Sequence, residues 1–421
     1  MIAEILSTGD EVLSGAVVDT NAAFIADHLQ RAGVRVSRHV CVGDDINDIS
    51  SAVSEMGKRA DIVVATGGLG PTMDDLMAAA AARAAKVSLE ENKKARESVE
   101  AFFARFSRKM TRSDAKQAML PKGAEPIIND AGTAPGFSMK ISRALFFFLP
   151  GVPREMERML LCSVIPRIKS DCLSGVSSSV NCRKVFSLFG LPEAEVNERI
   201  RDLEKVYDNL KFGMIARFPV IFIKLTAMGN DEPALNQSID AAGRDVVKRL
   251  GKWIFSENGE SMEEVVGRLL SRLPASLAIA ESCTGGLIAS RITDIAGSSN
   301  YFLFSAVTYS NQAKTGVLGI DPELIDRFGA VSEETAQAMA EGVRRLSGAD
   351  YGLSASGIAG PGGGTDEKPV GTVCIGLASS NGTKSKKFWF PFGRRNANKR
   401  IFSEAALDFL RRELMAAGQA A

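Results

Sequence analysis

Ala280-Glu281-Ser282-Cys283-Thr284-Gly285-Gly286 carries two nucleophile side chains, Ser282 and Cys283, where a strand-like run meets a glycine pair that can open a helix. A nucleophile on such a turn stands above a sheet, with helix N-terminal amides available to an oxyanion. It needs a base, and the chain has 2 histidines, His28 and His39, both far from it in sequence. That count removes a Ser-His-Asp triad and a Cys-His pair from most of the chain. The following segment, Val307-Thr308-Tyr309-Ser310-Asn311-Gln312-Ala313-Lys314, supplies a lysine on a predicted helix. A partly desolvated lysine has a lowered pKa and can accept a serine proton. Spacing alone fits equally well with Ser282 as a helix N-cap, Lys314 on a solvated face and Cys283 as a buried structural thiol.

A second cluster, Gly67-Gly68-Leu69-Gly70-Pro71-Thr72-Met73-Asp74-Asp75, follows the strand-like run from Asp61 to Ala65. Glycines there let backbone amides approach a phosphate, and paired carboxylates can hold a hard divalent cation. The competing reading is that Asp74 and Asp75 cap a helix beginning at Leu76. The loop Asn129 to Gly136, with Gly132, and the turn Leu149 to Met156, with Glu155, could line the same crevice.

Two later segments add polar groups. Ser354 to Gly364 joins hydroxyls (Ser354, Ser356) to glycines (Gly357, Gly360), and a loop leads on to Pro369-Val370-Gly371-Thr372. It can act as a phosphate cradle or a lid, and the competing reading is a long flexible connection between strands. Arg394, Arg395, Lys399 and Arg400 form a basic cluster at the start of the last predicted helix, suited to a monoester phosphate, although taken alone the cluster fits a solvated charged face better.

The elements that must position these groups alternate. From residue 1 to about 165, runs at Ile2–Ser7, Val34–Val42, Ile62–Ala65 and Ala144–Leu149 read as strands, with helical patterns between them. That alternation predicts a parallel sheet covered by helices, with ligands at the carboxyl ends of strands. The small polar stretch between Cys172 and Cys182 reads as a linker. A small α+β unit follows, and from about 256 the alternation resumes with strands at Leu277–Ala280, Ala306–Tyr309, Tyr351–Ser356 and Val373–Leu377. The expected domains are 1–170, 177–252 and 256–421.

A chain of 421 residues exceeds one ordinary core, and 45% hydrophobic with 24% charged residues fits a globular fold throughout. Lys+Arg 51 against Asp+Glu 50 leaves a net charge of +1, with no global field to drive polyanion binding. Nucleic acid is therefore an unexpected partner. The apolar run Ala144–Leu149 is far shorter than the roughly 20 residues that span a bilayer. No membrane association is expected. Met1 to Leu6 shows no basic leader, and the 6 cysteines form no CxxC pair, so a cytoplasmic protein without a disulfide framework or zinc cluster is expected.

These motifs resemble the bacterial CinA (competence/damage-inducible protein A) family over essentially the whole chain. Ala280–Gly286, Tyr309–Lys314, Gly329–Ser332 and Ser356–Pro361 through Lys368–Val373 resemble its C-terminal domain, a nicotinamide-nucleotide amidase. That domain converts nicotinamide mononucleotide to nicotinate mononucleotide and ammonia in pyridine-nucleotide salvage. The resemblance implies Ser282 as nucleophile, Lys314 as base, and Tyr309 and Thr284 nearby. It implies substrate contacts from Gly285, Gly286, Ser356, Gly357, Gly360, Thr372, Arg395 and Lys399, and no cofactor for the amidase. Thr8–Glu11, Gly67–Asp75, Gly132–Gly136 and Pro150–Glu155 look like the family's molybdopterin-binding-like domain, associated with metal-dependent ADP-ribose pyrophosphatase activity. This implies nucleotide contacts from Asp10, Gly67, Gly68, Gly70, Thr72, Gly132 and Glu155, and a divalent metal on Asp74 and Asp75. The central unit is similar to the family's small KH-like domain, and a homodimer is expected. Met77, Asp114 and Arg394 depart from the family pattern, which often has Thr, Asn and an acid there. A competence-related scaffold, or a pterin-binding N-terminal domain without catalysis, is the alternative. Against an RNA-binding KH module, no GXXG spacing occurs between residues 170 and 250.

Overall fold

The computed structural model describes residues 1–172 and 180–420. The expected linker falls largely on 173–179, outside the described residues. The chain divides into two compact units, residues 1–181 with 228–232, and residues 182–227 with 233–421.

In the first unit the strands are β1 (Ile2–Thr8), β2 (Arg35–Val42), β3 (Ile62–Thr66), β4 (Glu125–Ile127), β5 (Gly136–Ile141) and β6 (Ala144–Leu149), ordered β2-β1-β3-β6-β5-β4. Helices α1 (Thr20–Arg31), α2 (Ile46–Arg59), α3 (Met77–Ala85) and α4 (Pro153–Met159) belong to the same unit. The strands β2, β1, β3 and β6 are parallel, whereas β5 runs antiparallel to β6 and β4 antiparallel to β5. The expectation of a parallel sheet is thus corrected to a mixed one. A strand covered on both faces is apolar throughout in either orientation, so β5 and β6 carry no signal of direction. Alternate residues separate into two cores: Val63, Ala65, Phe146 and Phe148 on one face, Ile62, Val64, Phe147 and Leu149 on the other. Because β1 leads to β2 on one side and β3 on the other, a crevice opens beyond Thr8 and Thr66.

The second unit contains a four-stranded sheet and a five-stranded sheet. The first is built from β7 (Val180–Phe189), β8 (Leu210–Arg217), β9 (Val220–Gly229) and β10 (Ile254–Ser256), with helices α5 (Glu193–Ile200) and α6 (Glu232–Leu250). The larger part begins with α7 (Met262–Arg272), β11 (Leu277–Glu281), α8 (Leu287–Thr293), β12 (Phe302–Val307), α9 (Asn311–Leu318) and α10 (Glu333–Ser347). It closes with β13 (Tyr351–Gly357), β14 (Thr372–Ser379), β15 (Gly382–Trp389) and α11 (Arg395–Ala420). The sheet order is β12-β11-β13-β14-β15, parallel for the first three and antiparallel for the last two. Again the chain continues from the central strand to one side, β12, and then to the other, β13, which places Ser282 at the switch point beyond β11. The strand expected at Ala306–Tyr309 lies earlier, at Phe302–Val307. Thr308 and Tyr309 leave the ladder, and their carbonyls turn toward Lys314.

Candidate functional site

Ser282 follows the last residue of β11, its amide donating to Ala355 O at 3.0 Å. It caps no helix: the residue before α8 is Gly286, in the left-handed region at φ 89°. Lys314 lies on α9, one turn beyond its N-cap Ser310, and is 1% exposed. Its Nζ lies 3.2 Å from Ser282 Oγ, 3.0 Å from Thr308 O and 3.4 Å from Tyr309 O. The solvated-face reading of Lys314 is thereby excluded. Burial lowers its pKa below the ordinary lysine value. The same burial pushes the Cys283 thiol up to about 12, so this cysteine stays protonated.

Two amides of the first turn of α8 are taken and are not open to an oxyanion as expected. Glu281, fully buried at the end of β11, accepts from Ile288 N at 3.1 Å and Ala289 N at 2.9 Å. Its carboxylate thus occupies the positive end of the helix. Among the described residues, the amides of Cys283 and Thr284 make no bond to a backbone acceptor. Thr284 is fully buried, its hydroxyl without a hydrogen-bond partner among the described residues.

Tyr309 and the basic cluster meet. Arg395 Nη2 donates to Tyr309 Oη at 2.8 Å, and its Nη1 to Gly360 O at 2.9 Å. Lys399 Nζ comes within 3.4 Å of where a side chain on Gly285 would begin. Asn398, between them on α11, is buried and donates to Ala359 O and Phe392 O. Gly360 is held at φ 83°, and a Cβ there would meet Val370 at 2.6 Å. Ser356 and Thr372 are engaged locally instead: Ser356 Oγ donates to Ala330 O at 2.6 Å and Thr372 Oγ1 to Pro369 O at 2.7 Å. Gly357 makes room for the neighbouring strand, since a Cβ would lie 2.5 Å from Thr372 O.

The first unit holds a separate cleft of about 470 Å³ at the carboxyl ends of β1 and β3, lined by Thr8, Gly67, Gly68, Gly70, Asp74, Asp75 and Glu155 among others. Gly67 and Gly68 adopt φ 107° and 63°, and a Cβ on Gly67 would fall 2.4 Å from Thr8 O. Gly132 is required by its neighbour, because a Cβ would overlap the Glu155 carboxylate. Glu155 sits in the first turn of α4 and accepts from Asn129 Nδ2 at 2.6 Å. Asp10 and Asp44 exchange amide-to-carboxylate bonds at 3.1 Å.

Asp74 and Asp75 are not helix caps. The helix begins at Met77, and Leu76 before it offers no side-chain bond. Thr72 N donates to Asp75 Oδ2 at 2.8 Å, and the Thr72 hydroxyl lies against both carboxylates. Lys116 Nζ clamps the loop through the carbonyls of Thr72 and Asp75, at 2.6 and 2.8 Å. Burial raises the Asp44 pKa, and the charges of Asp10, Glu11 and Asp74 raise it further. Among the described residues, no three carboxylate, imidazole or thiolate groups converge as a complete metal shell.

A protein called CinA-like protein from Desulfosudis oleivorans is 51% identical over 415 residues, covering 99% of this chain and 100% of that one. The chain belongs to the CinA family. A second CinA-like protein, from Citrifermentans bemidjiense, is 46% identical across 98% of this chain and 97% of its own length. Residues 259–414 match the CinA C-terminal domain, 183–256 the damage-inducible protein CinA KH domain, and 4–170 a family described as "Probable molybdopterin binding domain". A crystal structure of the competence/damage inducible protein CihA from Agrobacterium tumefaciens is 38% identical over 36% of this chain and 94% of that one, with a TM-score of 0.35. No helix among the described residues is long and apolar enough to cross a membrane.

Within this CinA-family chain, sequence reasoning missed Glu281, Thr308 and Asn398 at the Ser282 site. A lone acid ending the apolar run Leu277-Ala278-Ile279-Ala280 was the available signal for the first. It also missed three polar groups lining the other cleft. Thr8 Oγ1, Asn21 Oδ1 and Gln117 Oε1 are buried there without hydrogen-bond partners among the described residues. Of the departing positions, Met77 is buried at the start of α3, and Asp114 closes a capping box with Thr111.

Proposed function

We propose that the carboxy-terminal region hydrolyses the carboxamide of nicotinamide mononucleotide, giving nicotinate mononucleotide and ammonia. The observation that carries this reading is the set of neighbours around Lys314 Nζ. A neutral amine has two hydrogens and one lone pair. The carbonyls of Thr308 and Tyr309 accept the two hydrogens, which leaves the lone pair for the Ser282 hydroxyl. Ser282 Oγ then attacks the carboxamide carbon while Lys314 takes its proton. As the tetrahedral intermediate collapses, Lys314 returns that proton to the departing nitrogen, which leaves as ammonia. Water hydrolyses the resulting ester by the same base. The amides of Cys283 and Thr284 are the donors proposed for the oxyanion. Lys399 and Arg395, flanking the turn and Tyr309, are the groups proposed to meet the substrate's phosphate. No cofactor enters this reaction.

A second activity is proposed for the first unit, cleavage of the pyrophosphate of ADP-ribose with a divalent metal. Its support is the acid-rich glycine cleft, lined by Asp44, Asp74 and Asp75, where burial first and then the charges of Asp10, Glu11 and Asp74 raise the Asp44 pKa. The donor set fits a hard cation that keeps most of its ligands from water and phosphate. Asp74 and Asp75 would hold it, and it would neutralise charge on the phosphoryl oxygens. Incubating the protein separately with nicotinamide mononucleotide and ADP-ribose, with and without magnesium or manganese, tests both. Ammonia from the first without metal, and nucleoside monophosphate from the second only with it, are expected. Absence of either product removes that assignment.

A further inference from the structure

The turn that carries Ser282 has little of its own to hold it. Gly285 and Gly286 both sit in the left-handed region, at φ 61° and 89°, and glycine loses more conformational freedom on ordering than any other residue. Two main-chain bonds fix the first half of the turn, Ser282 N donating to Ala355 O at 3.0 Å and Gly285 N to Ser282 O at 3.2 Å. The second half is tied by a side chain. Glu281, with none of its surface exposed, reaches past both glycines to the amides of Ile288 at 3.1 Å and Ala289 at 2.9 Å, one on each carboxylate oxygen. The main chain of the same residue accepts from Thr308 N at 2.8 Å, and the Thr308 carbonyl in turn receives Lys314 Nζ. Glu281 is therefore joined to the frames of the nucleophile and of its base. Among the described residues its carboxylate hydrogen-bonds to neither side chain. Taking a carboxylate out of water is costly unless its oxygens are matched, and here the amides beyond the turn match both.

We propose that Glu281 is a positioning residue for the reaction at Ser282. Its carboxylate ties the chain before the glycines to the helix after them, and so sets where Ser282 Oγ and the amides of Cys283 and Thr284 stand relative to Lys314. This role rests on the reading of Ser282 as nucleophile and deepens it. A nucleophile with a fixed base tolerates little displacement, since a shift of about 1 Å costs on the order of 10²-fold in rate. The groups proposed to meet the phosphate, Arg395 and Lys399, are carried by α11 and are not held by Glu281. The loss should therefore fall on kcat and spare KM.

The test compares the full chain with two variants. Glu281→Gln keeps the shape but offers one oxygen to two amides, and Glu281→Asp keeps the charge but falls short by one methylene. The first readout is the rate at which a fluorophosphonate probe labels Ser282 with loss of fluoride, followed by peptide mass, which is independent of the substrate. The second is kcat and KM for ammonia release from nicotinamide mononucleotide, with thermal unfolding to confirm that each variant folds. Both variants are expected to take the label at least about tenfold more slowly, and to lose roughly 10²-fold in kcat with KM within about threefold of wild type. Labelling at the wild-type rate in a folded variant overturns the role of Glu281. So does a loss confined to KM, or a lowered thermal midpoint with unchanged kcat. If the wild type takes the label at Ser282 but releases no ammonia, the amidase reading falls, and the labelling rates still decide for or against Glu281. If the wild type takes no label at Ser282, the nucleophile is misassigned and the role of Glu281 falls with it.

Discussion

Lys314 Nζ reaches Ser282 Oγ at 3.2 Å across 32 residues of sequence, from a helix that begins at Asn311, shortly after the strand neighbouring the nucleophile's own ends at Val307. A nucleophile and its base act as one unit, so their substitutions should not add. Ser282→Ala is expected to lose at least about 10³-fold in kcat, and Lys314→Met, which keeps length and burial, roughly 10² to 10⁴-fold. The double variant should be no slower than the worse single one. Ammonia release measured on all three, with circular dichroism to confirm folding, checks this; additive losses would separate the two residues.

The pH dependence follows from the direction of the Lys314 shift. Its burial favours the neutral amine, and the neutral amine is the base. The sign is therefore a kcat/KM that rises with pH through a pKa below the ordinary 10.5 and then levels. Protonation of Lys314 removes activity on the acid side. A profile flat from about pH 6 to 10 would exclude Lys314 as a titrating base.

Cys283 gives the control. With its pKa pushed up to about 12, it should resist iodoacetamide near neutral pH, whereas the exposed Cys162 should be labelled. Cys283→Ala is expected to keep most of the ammonia release. Inactivation tracking carboxymethylation of Cys283 would reassign the nucleophile.

The two sites were unequally legible. The Ser282 turn could be read because glycines and a nucleophile at a strand end form a local pattern, and Lys314 because histidine was scarce. Which groups complete the base could not be read. Thr308 and Tyr309 act through backbone carbonyls, which have no side-chain signature, and the apolar character around Ala306 carried the expected strand past them. Glu281 was invisible for a related reason: an acid bound to helix amides looks like any strand-end residue until the fold closes. The strand direction failed at β5, where the apolar pattern is the same in either orientation, and β15 at Gly382–Trp389 was not expected at all, its sequence being mostly polar. The Asp74-Asp75 pair was legible as a loop feature, but not that Thr72 and Lys116 fix that loop.

At the amino-terminal cleft, Asp74→Asn is expected to abolish metal-stimulated cleavage of ADP-ribose and leave ammonia release unchanged, because a hard cation loses a charged oxygen ligand. Gly132→Ala should have the same selective effect without removing any acid, since its Cβ would overlap the Glu155 carboxylate. Nucleoside monophosphate release over a magnesium titration checks both variants. Cleavage that survives in Asp74→Asn at all metal concentrations would reduce the pair to loop architecture.

Arg395 joins two roles that one substitution can separate. Its guanidinium donates to Gly360 O and to Tyr309 Oη, yet it keeps further N–H donors for an anion. If those donors read the substrate's 5′-phosphate, Arg395→Ala should lower kcat/KM for nicotinamide mononucleotide by tenfold or more, about 1.5 to 3 kcal/mol for a charge-assisted bond. Nicotinamide riboside, which lacks the phosphate, should lose much less. The loss on the riboside then measures what Arg395 contributes by holding Tyr309, and Tyr309→Phe should reproduce that part alone. Equal losses on the two substrates would make Arg395 a positioning residue only. The phosphate contact would then pass to Lys399, which lies beside Gly285 at the nucleophile's own turn.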